Sequence, residues 1–597
     1  MCGFIGKISF EDFDYKNVIE CNDLIECRGP DSLSSHNGKK NGLNYKFIFN
    51  RLSILDLTDE ANQPMISSGE KSLIMFNGEI FNHKELRKKL EKRNIRFNTN
   101  HSDTEVILNG IDHSGVNFIE ELRGQFAIFY INFDQNKIIF ARDRVGQKPL
   151  FVNFDEQNIT FGSNLISVSR LSKSQNIDHE SIDEYLESGV ISSPNTIFKN
   201  VKKLKPAEIY EINILNDEFV ISSKNYWKID NFIDNKPFNE NKFFEIFTEA
   251  VSLRTEADVE IANFLSGGID SSSIAKNLNE NRINLNTFSV EIKNSKYDES
   301  NWSREVARKY GTNHEKVQID ENIKDNDIFS SIDSLDEPYS DPSIVPSFLL
   351  SKQIAKKYKV AISGDGGDEL LGGYRRFQKA LADKTRLQNI YSKLYKIYPP
   401  RLGTGANILS FSKDFGTSFS SFLFDEKFMS LINKNSIRGN YASIITNQSE
   451  NKYKGLLVSD YKLYLSEMMM LKVDRTSMAN SLEVRSPFVD HKLIEYVLST
   501  NNNYYDQTRS KSLLKDYLVE DFGKDFVERK KMGFVFDLEN WVYSNTKTIE
   551  DYFYNGKIIK NLNENILKTL SLRKSRINAN RIWKIFILEY YLSKLVR

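Results

Sequence analysis

Apolar runs alternate with longer, partly polar segments in the second half of this 597-residue chain. Three short apolar runs predict buried strands, at residues 261–265, 286–291 and 359–363. The segments that follow the first two runs predict helices, at residues 271–278 and 299–310. This alternation is typical of a parallel sheet with helices on both faces and a ligand site where the strands end. Ser266, Val290 and Ser363 lie at such ends, so we expect them to share one site.

The first half has a different pattern, in which an apolar strand begins at Cys2 and a dense basic segment covers residues 84–93. The leucines of that segment are four residues apart, which predicts an amphipathic helix with a solvated face rather than a nucleic-acid contact. Residues 213–241 are rich in Asn, Asp and Lys and predict a linker. We therefore expect an α/β protein of two domains, over residues 1–212 and 242–597.

The charge balance and the cysteine content indicate which partners and which cellular compartment to expect. Lysine plus arginine equals aspartate plus glutamate, at 81 each, so the net charge favours neither nucleic acid nor an acidic membrane as a partner. The three cysteines argue for a reducing compartment, and we interpret Cys21 and Cys27 as ordinary small hydrophobic residues. There is no signal-peptide pattern and no apolar run of about eighteen residues, so we expect a soluble cytoplasmic protein.

A glycine turn joins the first predicted strand to its helix, with the sequence Leu265-Ser266-Gly267-Gly268-Ile269-Asp270-Ser271-Ser272. Glycines let the backbone approach a polyanion, and the N–H groups that open the helix point at it. Asp270 would repel a phosphate there unless a divalent cation lay between them. The turn resembles the pyrophosphate-binding loop of the N-type ATP pyrophosphatases, SGG[LIV]DS[ST], and no Walker sequence is present. The resemblance implies that this loop binds ATP with Mg²⁺.

A second acidic, glycine-rich segment follows the third predicted strand, with the sequence Ser363-Gly364-Asp365-Gly366-Gly367-Asp368-Glu369. It resembles the SGEGADE signature of asparagine synthetases, with Asp365 in place of the family's glutamate. By resemblance, Asp270 and Asp368 are Mg²⁺ ligands, because carboxylates beside an ATP loop can hold the metal between phosphates. The resemblance also implies that ATP contacts Leu265, Val290, Ser363 and Gly364. It further implies that Lys531, in a block similar to the family's KxGF, contacts the activated intermediate.

Removal of Met1 would leave Cys2 with a thiol and an α-amine on one carbon. The amine titrates near about 7.7–8.0 and a thiol near about 8.5, so the amine can act as the base of the thiol. A cysteine at this position is accidental more often than catalytic when it stands alone. Four blocks follow it in order, Arg28-Gly29-Pro30-Asp31, Arg51-Leu52-Ser53-Ile54, Asn77-Gly78-Glu79 and Ser102-Asp103-Thr104-Glu105.

These blocks resemble the class II glutamine amidotransferases, an N-terminal-nucleophile family with a four-layer α/β/β/α sandwich that hydrolyses glutamine through a cysteinyl thioester. The resemblance implies that Arg51 holds the glutamine α-carboxylate and that Glu79 and Asp103 bind its α-ammonium. Asn77 and the N–H of Gly78 would stabilise the oxyanion. The implied glutamine pocket also includes Leu52, Ser53, Ile54 and Leu55.

Two of these positions have a structural alternative. Asn77-Gly78 is also the best type I′ hairpin turn in the chain. Asp103 could instead cap a helix over residues 104–108.

Over nearly the whole chain, the motifs resemble the glutamine-hydrolysing asparagine synthetase family. The resemblance implies that ammonia released at Cys2 attacks an acyl adenylate of aspartate, giving asparagine, AMP and pyrophosphate, and that the protein is a homodimer. Because of Asp365, an amidotransferase acting on a sugar uronate for surface polysaccharides is the alternative. A β-lactam-synthetase-like ligase or a silent homologue is disfavoured because the motif residues are intact.

Overall fold

The structure is a computed structural model that describes residues 2–283, 286–292, 300–319, 323–382, 388–412, 414–447, 451–506, 508–529, 536–556 and 558–595. The described residues form three β-sheets, two built from the N-terminal half of the chain and one from the C-terminal half. The expected α/β class with two domains is confirmed.

Twelve strands lie in the described part of the N-terminal half: β1 (Gly3–Ser9), β2 (Ser32–Lys40), β3 (Leu43–Arg51), β4 (Met65–Ile66), β5 (Ser72–Ile80), β6 (Gly124–Asn132), β7 (Lys137–Arg142), β8 (Phe151–Phe154), β9 (Asn158–Gly162), β10 (Lys202–Lys203), β11 (Glu208–Leu215) and β12 (Glu218–Asn225). They form two antiparallel sheets, in the orders β10-β8-β9-β1-β3-β2 and β12-β11-β7-β6-β5-β4. The accompanying helices are α1 (Lys16–Glu20), α2 (His83–Glu91), α3 (Asp103–Ser114), α4 (Leu165–Leu171) and α5 (His179–Ser188).

The two antiparallel sheets pack face to face through an aromatic core. Phe129 and Phe161 stack across this core with ring centroids 4.2 Å apart, and Phe47 packs against both. Helices α2 and α3 cover the outer face of the second sheet, and α1 and α4 cover that of the first. Strands covered on both faces can be apolar throughout, and β6 is buried almost from end to end. The expected four-layer sandwich is confirmed.

The C-terminal half contains β13 (Ile261–Phe264), β14 (Asn286–Ile292), β15 (Asn313–Ile319), β16 (Val360–Ile362) and β17 (Glu483–Arg485). These strands pair in parallel in the order β15-β14-β13-β16-β17. The strand order reverses between β13 and β16, and such a reversal opens a ligand crevice at the carboxyl ends of the strands. The strands predicted at residues 261–265, 286–291 and 359–363 are confirmed, and that crevice lies where two of them end.

Helices of the C-terminal half surround the parallel sheet. They are α6 (Glu240–Leu253), α7 (Ile269–Glu280), α8 (Ser300–Tyr310), α9 (Asp325–Asp333), α10 (Ile344–Ile354), α11 (Gly367–Leu370), α12 (Arg375–Leu381), α13 (Gln388–Ile397), α14 (Ala406–Leu409), α15 (Phe415–Ser420), α16 (Glu426–Leu431), α17 (Arg438–Asn447), α18 (Lys452–Asp460), α19 (Met470–Met478), α20 (His491–Ser499), α21 (Ser512–Glu528), α22 (Leu538–Ser544), α23 (Thr546–Asn555), α24 (Ile559–Leu562), α25 (Ile566–Ser571) and α26 (Arg576–Leu595). Among the described residues, none of the chain's helices is long and apolar enough to cross a membrane.

The polar segment 213–241 does not act as a linker along its whole length. Strand β11 runs to Leu215 and pairs with β7, and β12 pairs with β11 at the edge of the second sheet. Most residues of β12 are exposed, so its polar composition reflects a solvated edge strand rather than a connection between domains. Helix α6 begins the C-terminal domain at Glu240, so any linker is limited to the residues between β12 and α6.

Candidate active sites

Cys2 lies immediately before β1, where the first antiparallel sheet approaches β5 of the second. Its backbone N–H donates a hydrogen bond to Oδ1 of Asn77, on β5 of the other sheet, over 3.1 Å. Burial raises the pKa of the Cys2 thiol, whereas the N–H of Leu52 and the charge of Arg51 act in the opposite direction. The thiol is therefore held protonated in a pocket that already contains a donor for its sulfur, and it needs a local base to become a nucleophile.

Asn77 and Gly78 lie in the middle of β5, opposite Ala127 and Phe126 of β6. The hairpin-turn interpretation is therefore wrong, because apolar residues on both sides continue the strand through this dipeptide. A Cβ at Gly78 would lie 2.0 Å from the carbonyl oxygen of Gln125, so only glycine fits here. The Nδ2 atom of Asn77 is buried and has no hydrogen-bond partner among the described atoms. An unpartnered buried donor beside the cysteine suits a developing oxyanion.

Arg51 is buried and orders the loop that follows β3. Its terminal nitrogens donate to the carbonyl oxygens of Leu55, Asp56 and Thr58 and to Oδ1 of Asn62. No carboxylate of the described protein lies in an ion pair with this guanidinium. Its expected role as a ligand of the glutamine α-carboxylate stays a prediction.

The expected pocket residues Leu52 to Leu55 are held by contacts from both domains. Leu52 and Ile54 pack with Val360 and Met478 of the C-terminal domain. The N–H of Ser53 donates to Asp31 over 2.7 Å. This loop is therefore shaped partly by the C-terminal domain.

Glu79 and Asp103 lie together in the same buried region. The N–H of Ile80 donates to Oδ2 of Asp103 over 3.0 Å, and Ser102 occupies the N-cap of α3, so the helix-cap interpretation of Asp103 is wrong. Burial raises the pKa of Glu79 well above its usual range and also raises that of Asp103. Arg485, on β17 of the C-terminal domain, lies 3.2 Å from Glu79 and opposes the shift at Glu79.

The predicted ATP loop joins β13 to α7 at the point where the strand order reverses. Gly267 has a φ of +75°, and a Cβ there would lie 2.6 Å from the backbone nitrogen of Ser303, so the turn requires glycine. The N–H of Gly268 donates to Oγ of Ser266 over 3.2 Å, and the hydroxyls of Ser266 and Ser271 are 3.1 Å apart. The Oγ atom of Ser272 is buried without a partner among the described atoms, which leaves a donor for a phosphate.

Asp270 and Asp368 both pair with the ammonium group of Lys511 in this structure. The Nζ atom of Lys511, at the start of α21, lies 2.6 Å from a carboxylate oxygen of each. Lys511 is nearly buried, so two carboxylates are brought to one point away from bulk water. Oxygen donors converging on one cation fit Mg²⁺ as well as an ammonium. The arrangement is consistent with both aspartates as the metal ligands, with further ligands from the phosphates of a bound nucleotide.

The second acidic loop lies against the first. A Cβ at Gly364 would lie 3.0 Å from that of Asp270, so the two loops are in close contact. Ser363 donates its N–H to the carbonyl oxygen of Arg485 over 2.9 Å, and its own Oγ is buried without a partner among the described atoms. Asp365 is half-buried, and its carbonyl oxygen accepts a hydrogen bond from Oγ of Ser486.

The structure says less about the other residues that were predicted to contact ATP or the activated intermediate. Val290 is half-buried near the end of β14, and Leu265 is fully buried with its N–H bonded to Phe288. Lys531 lies outside the described residues.

Buried ion pairs join the two domains. Arg28 of the N-terminal domain forms a two-bond pair with Asp474, at 3.0 and 3.2 Å, and Lys148 approaches the same carboxylate at 3.5 Å. Lys203 pairs with Glu337 over 2.7 Å. Burial alone would raise the pKa of Asp474, but the three surrounding cations hold it well below its usual range. Breaking a buried ion pair is costly because it leaves a buried charge without its partner. These contacts therefore hold the two domains in a fixed arrangement.

Sequence reasoning missed three functional candidates, namely Lys511, Glu483 and Arg485. Lys511 follows an ordinary polar loop, and no local spacing marks it. Glu483 and Arg485 lie near Glu79 because the two domains pack together, which no local pattern shows. The local signal in Glu483-Val484-Arg485 is the spacing of two residues between the charged side chains, which places both on one face of a strand.

Comparison with known proteins identifies a family for each half of the chain. The family described as asparagine synthase matches residues 242–570, and the glutamine amidotransferase domain family matches residues 1–227. Asparagine synthetase [glutamine-hydrolyzing] 1 of Bacillus subtilis is 30% identical over 576 residues, covering 91% of this chain and 88% of its own length. The second such enzyme of that organism is 27% identical over 90% of this chain and 72% of its own length. Amidase chyE of Penicillium rubens is 26% identical over 80% of this chain and 77% of its own length.

The two family matches therefore cover residues 1–227 and 242–570, one in each half of the chain. The chain thus combines a glutamine amidotransferase domain with an asparagine synthase domain. The chain belongs to the glutamine-hydrolysing asparagine synthetase family.

Proposed function

We propose that this enzyme converts aspartate to asparagine, using ammonia released from glutamine at Cys2 and an acyl adenylate formed from ATP. The observation that carries the proposal is that one strand, β17, contacts both sites. The side chain of Arg485 reaches Glu79 beside Cys2, and its carbonyl oxygen bonds Ser363 beside the ATP loop. A strand that contacts both sites supports a reaction in which ammonia made at one site is used at the other.

The glutaminase half-reaction begins at the Cys2 thiol. After removal of Met1, the α-amine of Cys2 takes the thiol proton, and the thiolate attacks the carboxamide carbon of glutamine. Nδ2 of Asn77 and the N–H of Gly78 donate to the resulting oxyanion, and each such donor contributes about 3–4 kcal/mol in other enzymes. As the oxyanion collapses, the α-ammonium of Cys2 returns its proton to the leaving nitrogen, which departs as ammonia and leaves a thioester that water hydrolyses. Arg51, Glu79 and Asp103 hold the α-carboxylate and α-ammonium of glutamine.

The synthetase half-reaction takes place at the carboxyl edge of the parallel sheet. A carboxylate oxygen of the acceptor attacks the α-phosphorus of ATP, and pyrophosphate leaves. The loop from Ser266 to Ser272 holds the phosphates, while Leu265, Val290 and Gly364 frame the adenine. Asp270 and Asp368 would hold Mg²⁺, which neutralises phosphate charge. Lys531 contacts the adenylate, and Asp365 acts on the attacking ammonia, which displaces AMP.

Aspartate is the acceptor that the relatives support. Two of those compared carry the name asparagine synthetase, over most of their length and most of this chain. No observation among the described residues favours a sugar uronate. Asp365 is one methylene shorter than the family's glutamate, which corresponds to about 1.5 Å less reach.

The experiment that tests the proposal measures pyrophosphate release with ATP, Mg²⁺ and glutamine, with aspartate present or absent. Aspartate-dependent release, with asparagine and AMP formed in equal amounts, is the expected result. Glutamine hydrolysis without aspartate-dependent pyrophosphate would overturn aspartate as the acceptor, and nucleotide-linked uronic acids would be the next substrates to test.

The cytoplasm is the expected compartment, because it supplies glutamine and ATP together. A homodimer is the expected assembly, as the family resemblance implies. Light scattering coupled to size-exclusion chromatography distinguishes a dimer from the monomer mass of 69.1 kDa.

A further inference from the structure

Arg485 is a C-terminal-domain residue whose guanidinium lies fully buried beside the glutamine pocket. Its Nη2 atom is 3.2 Å from Oε2 of Glu79, and its Nε atom pairs with Glu483. Its Nη1 atom donates to the carbonyl oxygens of Arg254 and Glu256 over 3.2 and 2.6 Å. These bonds fix the guanidinium in one orientation, so its position does not depend on Glu79.

The environment of the Glu79 carboxylate disfavours its charged form. It is 3% exposed, and Asp103 and Glu483 add negative charge around it. Burial raises the pKa of Glu79 most strongly, and Arg485 is the largest influence in the opposite direction. A carboxylate can attract an ammonium group only while it is ionised, so Glu79 depends on a cation supplied by the other domain.

We propose that Arg485 is a positioning residue for glutamine binding, which pairs with the Glu79 carboxylate and orients it towards the α-ammonium of glutamine. This inference rests on the proposed function of Glu79. The glutamine pocket is therefore incomplete without the C-terminal domain. The described polar contacts of the Arg485 side chain are with Glu79, Glu483 and two backbone carbonyl groups, so we expect it to act on the affinity for glutamine rather than on the chemical step.

The backbone of the same strand reaches the ATP site. The carbonyl oxygen of Arg485 accepts the N–H of Ser363, and Oγ of the next residue, Ser486, donates to the carbonyl oxygen of Asp365. Strand β17 therefore contacts the second acidic loop through its backbone while the side chain of Arg485 contacts Glu79.

The test compares glutamine hydrolysis by three variants of the full-length enzyme. Arg485→Met removes the cation and is expected to raise KM for glutamine about tenfold or more, with kcat within about threefold. Arg485→Lys keeps a shorter cation and is expected to raise KM about threefold, as a partial rescue. Lys203→Met is the matched control, because it breaks the buried pair with Glu337 between the same two domains, away from the glutamine pocket. That control is expected to leave KM unchanged.

The pH profile gives a second readout that a structural role would not produce. The charged groups that face Glu79 are Asp103, Glu483, Arg485 and the amino terminus. Without Arg485 the pKa of Glu79 rises further, so KM of the Arg485→Met variant is expected to fall as the pH increases from 6.5 to 8.5 by a larger factor than KM of the wild type.

An unchanged KM in Arg485→Met, or an equal rise in Lys203→Met, would overturn the inference. If Arg485→Met does not fold, as judged by its thermal midpoint, Arg485→Lys decides, and an unchanged KM in that variant overturns the inference. A wild-type enzyme that hydrolyses no glutamine would instead overturn the proposed function, and this inference with it.

Discussion

The backbone N–H of Cys2 donates to the side-chain oxygen of Asn77 over 3.1 Å, from the start of one sheet to the middle of a strand in the other. This bond fixes the orientation of the Asn77 amide, because the oxygen must face the N–H. The opposite end, Nδ2, is then the buried donor that lacks a partner among the described atoms. A single hydrogen bond therefore sets the relative positions of the nucleophile and the donor that stabilises its oxyanion.

Asn77→Ala removes both the anchor of Cys2 and the oxyanion donor. We expect kcat for glutamine hydrolysis to fall about 100–1000-fold, with KM for glutamine changed much less, because the lost interaction is made in the transition state. Steady-state glutaminase kinetics measure both constants. Synthesis from free ammonia serves as the control and should be unaffected. A rise in KM with kcat unchanged would assign Asn77 to binding alone.

Cys2→Ala removes the nucleophile. Glutamine-dependent synthesis is expected to fall to background, whereas synthesis from ammonium chloride should persist, because ammonia enters the second half-reaction directly. The structure places Cys27 at the surface, so Cys27→Ala is the matched cysteine control and should behave as wild type. Residual glutaminase activity in Cys2→Ala, with the activity of Cys27→Ala lost, would exclude Cys2 as the nucleophile.

Lys511→Met leaves Asp270 and Asp368 facing each other without the ammonium that lies 2.6 Å from each. Removing one partner of a buried ion cluster costs about 3–5 kcal/mol. In EDTA we expect the thermal midpoint of Lys511→Met to be lower than that of the wild type. Adding Mg²⁺ should raise the midpoint of the variant more than that of the wild type, since the metal would then occupy a site that the lysine no longer fills.

The control for this experiment is Lys515→Met, one turn further along α21, where the lysine pairs with Glu528 instead. Its response to Mg²⁺ should equal that of the wild type. If Mg²⁺ stabilises Lys511→Met no more than it stabilises the control, the two aspartates are not the metal ligands.

Asp490→Asn tests the pH dependence of the domain interface. Asp490 is buried between Arg123 and Arg254, at 3.0 and 2.9 Å. Burial alone would raise its pKa, but the two guanidinium groups hold the pKa of Asp490 well below its usual range. The pair therefore stabilises the fold fully above the unfolded-state pKa of about 3.9. That stabilisation is lost as the pH falls below this value towards the folded-state pKa.

At pH 7 we expect Asp490→Asn to cost about 3–5 kcal/mol, because it removes the buried carboxylate that neutralises both guanidinium groups and leaves Arg123 with only the exposed Glu249. Thermal midpoints of wild type and variant should converge as the pH falls below about 4. Glu249→Gln is the matched control, because Glu249 also pairs with Arg123 but is 57% exposed, and exposed pairs contribute about 0–1 kcal/mol. A constant difference between wild type and Asp490→Asn at every pH would contradict the ionic explanation.

Short-range patterns predicted the parts of this fold that depend on neighbouring residues. The strand at residues 261–265 and the glycine turn after it were predictable because a short apolar run is followed by Ser-Gly-Gly. In the structure Gly267 has a φ of +75°, which suits glycine. The convergence of Ser266 and Ser363 on one edge followed from the parallel arrangement of their strands.

Contacts over long sequence separations were not predictable from local pattern. Lys511 and Asp270 are 241 residues apart along the chain, and neither neighbourhood marks the pairing. The linker prediction was wrong over β11 and β12, because an exposed edge hairpin and a connecting segment share the same polar composition. The hairpin-turn interpretation of Asn77-Gly78 was wrong, because the pairing of β5 with β6 through this dipeptide depends on residues far away along the chain.

The ion pairs between the domains also bear on how such an enzyme can change during evolution or engineering. Arg28, Lys148 and Lys203 reach carboxylates of the other domain, so a domain taken alone would carry charges whose counter-ions stayed behind. Neither domain is therefore well suited to being exchanged or expressed without the other, although each has its own hydrophobic core. A chimera with a domain from a relative requires both members of each pair to be compatible, and sequence changes at these positions should occur in pairs across the two domains.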